Sequence, residues 1–210
     1  MENKFPTFLI VGAAKSGTTS LYHYLREHPG IFMTLPKEPR FFAFADAVPP
    51  DNDWERQSIS RLEDYLRLFR DAGEGRERGE ASPHYLFLHE RTIANIKKYT
   101  PSWQELKIVI ILRNPADRAF SNYSMLRMKG AESVGFEEAL QAGAERRRRG
   151  EGAFFDYIGA GMYFEQVKAY ASTFPRLRVY LYDDLRADPA GLVRDLYSFL
   201  GVDGEYSPGS

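Results

Sequence analysis

The sequence of 210 residues contains no cysteine, which excludes a disulfide framework, a thiolate metal site and a cysteine nucleophile. It also lacks a long apolar run near its start. The run Phe8–Val11 continues only weakly before Lys15, far short of the ~20 residues that span a bilayer. Residues 1–6 do not show the order of positive charge, apolar stretch and cleavage site that marks a signal peptide. We therefore predict no membrane span and a cytoplasmic location.

The chain also lacks an excess of charge of either sign. Lys and Arg number 28 and Asp and Glu number 29, which gives a formal net charge of -1. A general basic field of the kind used by non-specific nucleic-acid binders is absent, so no nucleic-acid partner is predicted and any anion site must be local. With 43% hydrophobic residues, the chain can bury a sizeable core, and its length predicts a single domain.

Short apolar runs alternate with segments of helical periodicity. The run Phe8–Val11 is continuously apolar, and Lys107–Leu112 is apolar after its first residue. Both are rich in β-branched residues, which is typical of strands buried on both faces of a parallel sheet. A loop with two prolines is predicted at Pro36–Arg40, and a polar surface turn at Gly73–Gly79. The remaining predicted elements are strands at Ile31–Thr34 and Leu177–Tyr182, and helices after Gly17 up to His28, over Leu62–Phe69, from Pro115, over Phe136–Arg149, over Tyr163–Phe174, and over Pro189–Leu200 with Asp188 as N-cap.

Alternation of this kind predicts an α/β fold with a central parallel sheet covered on both faces by helices. Ligands of such sheets gather at the carboxyl ends of the strands. The strand-to-helix junctions that follow Val11 and Leu112 are therefore expected to face one crevice.

The first junction carries a glycine-bearing loop, Gly12–Ser20, between a strand and a helix. The backbone N–H groups of such a loop and the helix N-terminus converge on one point, which attracts a phosphate or an analogue. Lys15 adds a full positive charge there. In the nucleotide-triphosphatase pattern G-x-x-x-x-G-K-[ST] the lysine follows the second glycine, whereas here Lys15 precedes Gly17.

With this displaced lysine, the stretch FLIVGAAKSGTTSLYHYLREHPGIF resembles the 5′-phosphosulfate loop of sulfotransferases that use 3′-phosphoadenosine 5′-phosphosulfate (PAPS). The stretch ILRNPADRAFSNY resembles the 3′-phosphate segment of the same family, with Arg113, Arg118, Ser121 and Tyr123 in its R-x-P and R-x-x-S-x-Y positions. The resemblance is closest to the bacterial and heparan-sulfate-type branch. It implies a P-loop-like three-layer α/β fold and sulfuryl transfer from PAPS to a hydroxyl or amine of a carbohydrate, lipid or small metabolite.

A donor with a separate 3′-phosphate requires two anion sites that are separated by a ribose, and the resemblance supplies both. It implies no obligatory metal and a catalytic role for Lys15, whose ammonium suits the charge that builds on the departing oxygen. The side chains of Arg113 and Ser121 are expected to hold the 3′-phosphate by charge-assisted hydrogen bonds. The expected ligands of the 5′-phosphosulfate are Lys15, Ser16, Gly17, Thr18, Thr19 and Ser20.

The base that takes the proton of the acceptor has two candidates. The heparan-type branch uses a glutamate in an E-x-x-F-F segment, and Glu38 stands at the matching place in this chain. Neighbouring Lys37 and Arg40 are expected to oppose the raised pKa that a base needs. His84 is the rival, because steroid and phenol sulfotransferases use a histidine, which titrates near neutrality.

The chain departs from the family at two places. Ala81 stands where heparan-type relatives carry a lysine, and the chain ends at Ser210 where they continue into a loop over the donor. We therefore expect a single sulfotransferase domain over residues 1–210 that lacks this C-terminal lid. Two alternative functions remain open: a P-loop-like kinase, which needs Mg²⁺ ligands, and a non-catalytic nucleotide-binding module.

The acceptor itself is not encoded in a recognisable motif. It is expected to be selected by the loops at 43–56 and 129–161, and the oligomeric state is equally open. The run Arg146–Arg149 is interpreted as a solvated helix end favoured by the helix dipole, with an anion-docking patch as the alternative. For the aromatic residues, packing in the core is favoured over an acceptor pocket; these are Phe41, Phe42, Phe154, Phe155 and Tyr157.

Overall fold

Five parallel strands form one sheet at the centre of the protein. The structure is a computed structural model, which describes residues 4–47 and 57–206. Residues 48–56 of the predicted acceptor-selecting loop and residues 207–210 of the C-terminal segment lie outside the described part. The strands are β1 (Phe8–Gly12), β2 (Ile31–Met33), β3 (Glu77–Ala81), β4 (Lys107–Leu112) and β5 (Leu177–Leu181), in the spatial order β2-β3-β1-β4-β5.

Helices cover both faces of this sheet, which confirms the predicted three-layer α/β fold. The helices are α1 (Thr18–Glu27), α2 (Phe41–Phe44), α3 (Leu62–Arg67), α4 (His84–Phe87), α5 (His89–Tyr99), α6 (Pro115–Met128), α7 (Phe136–Arg148), α8 (Tyr163–Thr173), α9 (Tyr182–Ala187) and α10 (Pro189–Leu200). Among the described residues, no helix has the length and apolar character required to cross a membrane.

The core divides into two main layers because successive side chains of a strand point to opposite faces. Leu9 and Val11 of β1 belong to the layer that also contains residues of α5 and α8. Phe8 and Ile10 belong to the opposite layer, with residues of α1 and α10. All four side chains are fully buried, as the continuous apolar run predicts for a strand with helices on both faces.

The polar surface turn predicted at Gly73–Gly79 is wrong at its end, because Glu77–Ala81 forms β3 between β1 and β2. Because three of its five residues are charged, this strand has no apolar pattern that would predict it from the sequence. Gly79 pairs with Phe8, and a Cβ atom at Gly79 would lie 2.1 Å from the Phe8 ring. Glu80 is fully buried, and burial raises its pKa to about 8. The position of β3 is thus decided by contacts with β1 rather than by an apolar pattern.

The helix boundaries follow the predicted capping signals at several points. Asp188 caps α10, since its Oδ1 accepts a hydrogen bond of 2.8 Å from the N–H of Gly191. Pro115 begins α6, as predicted. Tyr182, predicted as the end of a strand, instead begins α9. The short α2 and α4 and the longer α5 were not predicted.

Besides the direct step from β5 to α9, four chain segments leave the sheet at its carboxyl edge. They are the loop from β1 to α1, the segment from β2 to α2, the turn from β3 to α4 and the junction from β4 to α6. Because parallel strands end at the same edge, these segments lie side by side there.

Candidate active site

A cavity of about 400 Å³ opens at this edge of the sheet. Its walls come from the four segments above, from α6 and α9, and from Phe154. The cavity gathers nine of the residues that the sequence predicts for the site: Lys15, Gly17, Thr18, Thr19, Ser20, Glu38, His84, Arg113 and Ser121. Ser16 is fully buried and does not belong to the lining of this cavity.

The loop between β1 and α1 requires glycine at position 17. Gly17 has a φ of 93°, which L side chains rarely adopt. A Cβ atom at this position would also lie 2.8 Å from Cδ2 of Leu185 and 3.1 Å from Cδ2 of Tyr182. The chain therefore passes tightly over α9, and α1 begins with its free N–H groups beside the cavity.

The two strand-to-helix junctions meet in this cavity, as predicted. The Nη1 atom of Arg113 donates a hydrogen bond of 3.3 Å to the carbonyl oxygen of Lys15. The Arg113 guanidinium also lies 4.7 Å from the centre of the Tyr182 ring, a cation–π contact. Its Nε atom is buried without a hydrogen-bond partner among the described residues. The arrangement places two cationic side chains on one concave surface.

The ammonium group of Lys15 forms no ion pair with any residue that the structure describes. Its Nζ lies 3.6 Å from the Sδ atom of Met125. Partial burial lowers the pKa of Lys15, and the positive charges of Lys129 and Arg113 act in the same direction against the opposing charge of Glu38. In such surroundings, the binding of an anion would stabilise the charged form of Lys15.

Glu38 lies between two cations, as its neighbours in the sequence suggest. Its Oε1 is 2.7 Å from Nζ of Lys37 and its Oε2 is 2.9 Å from Nη2 of Arg40. Burial acts to raise the pKa of Glu38, but the positive charges of Lys37 and Arg40 and the hydrogen bond from Lys37 lower it to about 2. Glu38 is therefore a carboxylate at neutral pH.

His84 is buried at the first position of α4. The centre of its ring is 3.9 Å from that of Phe154. Burial lowers the pKa of His84 to about 3, and the positive charges of Arg40, Lys37 and Arg118 add to this effect while Glu38 opposes it. The imidazole is neutral at neutral pH, so both candidate bases border the cavity in their unprotonated forms.

Two other positions of the 3′-phosphate segment have structural contacts. Arg118 is 1% exposed, and its Nη2 donates a hydrogen bond to the carbonyl oxygen of Tyr157. Tyr123 donates a hydrogen bond of 3.0 Å from its hydroxyl to the carbonyl oxygen of Val134. On α6, Ser121 therefore lines the cavity, while Arg118 and Tyr123 hold the segments that pack against this helix.

Several lining residues were not predicted from the sequence. Met125 and Lys129 follow Ser121 at intervals of four along α6 and its C-cap, so helical periodicity could have identified them. Phe154 is 32 residues away from its anchor Asn122, whose Nδ2 donates a hydrogen bond of 2.7 Å to the Phe154 carbonyl oxygen. No local pattern indicates such a contact. The other lining residues are Ala14, Arg40, Pro83, Asn122 and Tyr182.

All five aromatic residues are buried in core clusters, as the sequence analysis favoured, and one of them also lines the cavity. Phe41 and Phe42 are fully buried in the core layer next to α5. Phe155 and Tyr157 are buried in a third cluster beside α6 and α7. Phe154 alone among the five lines the cavity, where it packs on His84.

The run Arg146–Arg149 has its partners within the protein. Arg148 and Arg149 are exposed at the end of α7 and pair with Glu145, which agrees with the solvated helix end favoured from the sequence. Arg146 differs: its guanidinium lies 3.8 Å from the centre of the Phe155 ring and pairs with Glu132 at 2.6 Å. The run does not belong to the lining of the cavity.

No group of three or more His, Cys, Asp or Glu side chains suited to a metal ion occurs within residues 4–47 and 57–206.

Comparison with known proteins gives relatives that match almost the whole chain. Human heparan sulfate glucosamine 3-O-sulfotransferase 6 is 30% identical over 207 residues, which cover 96% of this chain and 54% of that protein. The chain spans about half the length of the curated 3-O-sulfotransferases it matches. A solved sulfotransferase from Alicyclobacillus acidocaldarius is 37% identical and has a TM-score of 0.88, with 98% of this chain and 85% of that chain covered.

A mouse sulfotransferase complexed with PAP shares the fold at 18% identity, with a TM-score of 0.61 over 94% of this chain and 60% of that chain. The family model described as "Sulfotransferase domain" matches residues 5–207, a range that includes every predicted site residue. The chain therefore belongs to the sulfotransferase domain family.

Proposed function

We propose that this chain transfers the sulfuryl group from PAPS to a hydroxyl or amine of a carbohydrate, lipid or small-metabolite acceptor and releases adenosine 3′,5′-bisphosphate (PAP). The observation that carries the proposal is the hydrogen bond from the Arg113 guanidinium to the backbone carbonyl oxygen of Lys15, which brings two cationic residues to one cavity of about 400 Å³. This donor has an anionic group at each end, so it requires two cationic sites at a short distance. Membership of the sulfotransferase domain family supports the proposal.

The loop from β1 to α1 would hold the phosphosulfate end. The N-terminus of α1 offers backbone N–H groups from Thr18, Thr19 and Ser20, and these groups favour an anion. The hydroxyls of the same residues are additional donors. Ser16 is fully buried and does not line the cavity, so its role as a ligand remains a prediction of the sequence.

Arg113 and Ser121 would hold the 3′-phosphate end. Arg113 presents donors in a fixed plane, which suits bidentate contact with a phosphate. Its position on the ring of Tyr182 and its hydrogen bond to Lys15 restrain the guanidinium before the donor arrives. The cost of ordering this side chain is thereby reduced.

In the transfer step, the bond from sulfur to the bridging oxygen of the donor breaks and a bond from sulfur to the acceptor atom forms. Lys15 stabilises the negative charge that develops on the bridging oxygen. Glu38 takes the proton from the acceptor, and His84 is the alternative base. Both groups line the cavity and are unprotonated at neutral pH, because their pKa values are lowered. The lowered pKa makes Glu38 a weaker base than the raised pKa expected for this role would.

A carbohydrate acceptor is suggested by the similarity to human heparan sulfate glucosamine 3-O-sulfotransferase 6. Arg40 and Lys129 add positive charge to the lining of the cavity, which suits an acceptor that bears acidic groups. The kinase alternative receives no support from the family match. A single domain over residues 1–210 and a cytoplasmic location remain predictions of the sequence.

The proposal is tested in two steps. Calorimetry with PAP in the presence of EDTA is expected to show binding at one site per chain. Incubation with PAPS labelled in the sulfuryl group and a panel of saccharides, lipids and phenols is then expected to label at least one acceptor. Binding of Mg-ATP in place of PAP would support a kinase. PAP binding without transfer to any acceptor would support a non-catalytic module.

A further inference from the structure

A second, much smaller cavity adjoins the candidate active site. It leaves room for the centre of a water molecule over about 10 Å³, which is about the minimum that one water needs. His84 and Asn122 line both cavities. The small cavity is also lined by Arg118 of α6 and Gln166 of α8.

These four side chains carry polar atoms that have no hydrogen-bond partner in the described part of the chain. The atoms are Nε of Arg118, Oδ1 of Asn122, Oε1 of Gln166 and both ring nitrogens of His84. The four residues are between 1% and 6% exposed. Buried polar groups in native proteins are almost always paired with protein or with ordered water, so this concentration around one cavity requires an explanation.

The orientations of the two amides are fixed by their other contacts. Nδ2 of Asn122 donates to the carbonyl oxygen of Phe154 at 2.7 Å, and Nε2 of Gln166 donates to the carbonyl oxygen of Gly159 at 3.0 Å. A carbonyl oxygen can only accept, so neither amide can be turned by 180° without losing a hydrogen bond. Both amide oxygens therefore remain as acceptors that need a donor.

The remaining two side chains supply donors. Arg118 uses Nη2 for the carbonyl oxygen of Tyr157, and its Nε–H is left over. Burial keeps His84 neutral, and a neutral imidazole has one N–H and one nitrogen lone pair. The lining thus offers two donors, from Arg118 and His84, and two acceptors, from Asn122 and Gln166.

We propose that one ordered water molecule occupies this small cavity. It accepts hydrogen bonds from Nε of Arg118 and a ring N–H of His84, and it donates to Oδ1 of Asn122 and Oε1 of Gln166. A water molecule has two donor and two acceptor positions, so this single molecule satisfies all four side chains.

The water has a consequence for His84. Because one ring nitrogen donates to the water, the imidazole is fixed in one tautomer, and its other nitrogen keeps a lone pair. His84 also borders the large cavity. If the proposed sulfuryl transfer is correct, on which this step rests, His84 accepts a hydrogen bond from the acceptor hydroxyl and positions it.

A crystal structure at a resolution that shows ordered water tests the site directly. We expect a water oxygen within about 2.7–3.2 Å of the named atoms of Arg118, Asn122 and Gln166 and of one ring nitrogen of His84. A site without water density would overturn the proposal. Rotated side chains that pair directly with each other would overturn it equally.

Nitrogen-15 NMR of the His84 ring tests the tautomer in solution. We expect one neutral tautomer in the wild-type protein, with a slowly exchanging ring N–H that shows a cross-peak to water. The Gln166→Met variant removes one acceptor of the water, and we expect faster exchange and mixed tautomers. Gln104→Met, at an exposed site, is the matched control. Mixed tautomers in the wild type, or an unchanged His84 spectrum in Gln166→Met, would contradict the proposal.

These measurements need neither donor nor acceptor. The water site can therefore fail while sulfuryl transfer is demonstrated, and it can be confirmed in a protein that proves to be inactive.

Discussion

The Nη1 atom of Arg113 and the carbonyl oxygen of Lys15 are joined by a hydrogen bond of 3.3 Å. The two residues are 98 positions apart in the chain, and each follows a different strand of the sheet. The bond fixes the loop from β1 to α1 against the junction from β4 to α6. Any change at Arg113 is therefore expected to affect both ends of the proposed donor site.

Replacement of Lys15 by alanine removes the ammonium group nearest to the proposed leaving oxygen. We expect kcat to fall by about 10²–10³-fold, the range found when a transition-state donor is removed. Steady-state kinetics with PAPS and an acceptor that the panel labels measure this loss. Lys168→Ala, at an exposed site on α8, is the control and should keep wild-type kinetics. Equal rates in the two variants would exclude Lys15 from catalysis.

The Arg113→Ala variant removes a charged donor from the proposed 3′-phosphate site. We expect its affinity for PAP to fall by roughly 10–100-fold, since a hydrogen bond to a charged group contributes about 1.5–3 kcal/mol. Calorimetry measures the change, and Arg148→Ala at the exposed end of α7 is the control. If PAP binds to Arg113→Ala as tightly as to the wild type, the 3′-phosphate site lies elsewhere.

Conservative variants distinguish the catalytic roles of Glu38 and His84. Glu38→Gln keeps the size of the side chain but removes the carboxylate, and we expect turnover to be abolished while PAP affinity remains within a few-fold of wild type. His84→Gln is expected to retain measurable turnover if His84 only positions the acceptor. The opposite result, in which only His84→Gln is inactive, would assign the base to His84.

The buried imidazole of His84 makes stability depend on pH. Its pKa is about 3 in the folded protein and about 6.5 in an unfolded chain, so between these values the unfolded state binds the extra proton. Stability is therefore expected to decrease as the pH falls below about 6.5, by at most about 1.4 kcal/mol per pH unit from this group. Urea denaturation of wild type and His84→Gln at pH 7 and pH 5 measures it. The assignment would be contradicted if the free energy of unfolding of the wild type fell no more between pH 7 and pH 5 than that of His84→Gln.

The buried carboxyl group of Glu80 acts in the opposite direction. Its pKa is about 8 in the folded protein and about 4.3 in an unfolded chain, so the unfolded state releases its proton first. Stability is expected to decrease as the pH rises through this interval. Glu80→Gln removes this dependence and should gain more stability relative to wild type at pH 8 than at pH 5. Thermal denaturation at both pH values tests this, and an equal difference at both would refute it.

The sequence by itself determined the parts of the protein that depend on neighbouring residues. The apolar runs that became β1 and β4, the glycine loop before α1, the start of α6 at Pro115 and the Asp188 cap of α10 were all predicted, because backbone geometry and helical periodicity are set locally. The pattern around Lys15 and Arg113 also predicted that both junctions would face one crevice, since parallel strands end at one edge of the sheet.

Only the tertiary structure decided which side chains are buried and which of them meet. The strand β3 was missed because its residues are charged, and its place depends on the contact of Gly79 with Phe8. Phe154 reaches His84 through a loop held by α6, and no local pattern encodes that approach. The lowered pKa of His84 likewise arises from burial by distant segments. Proximity and desolvation depend on the path of the whole chain, and therefore they could not be predicted from short stretches of sequence.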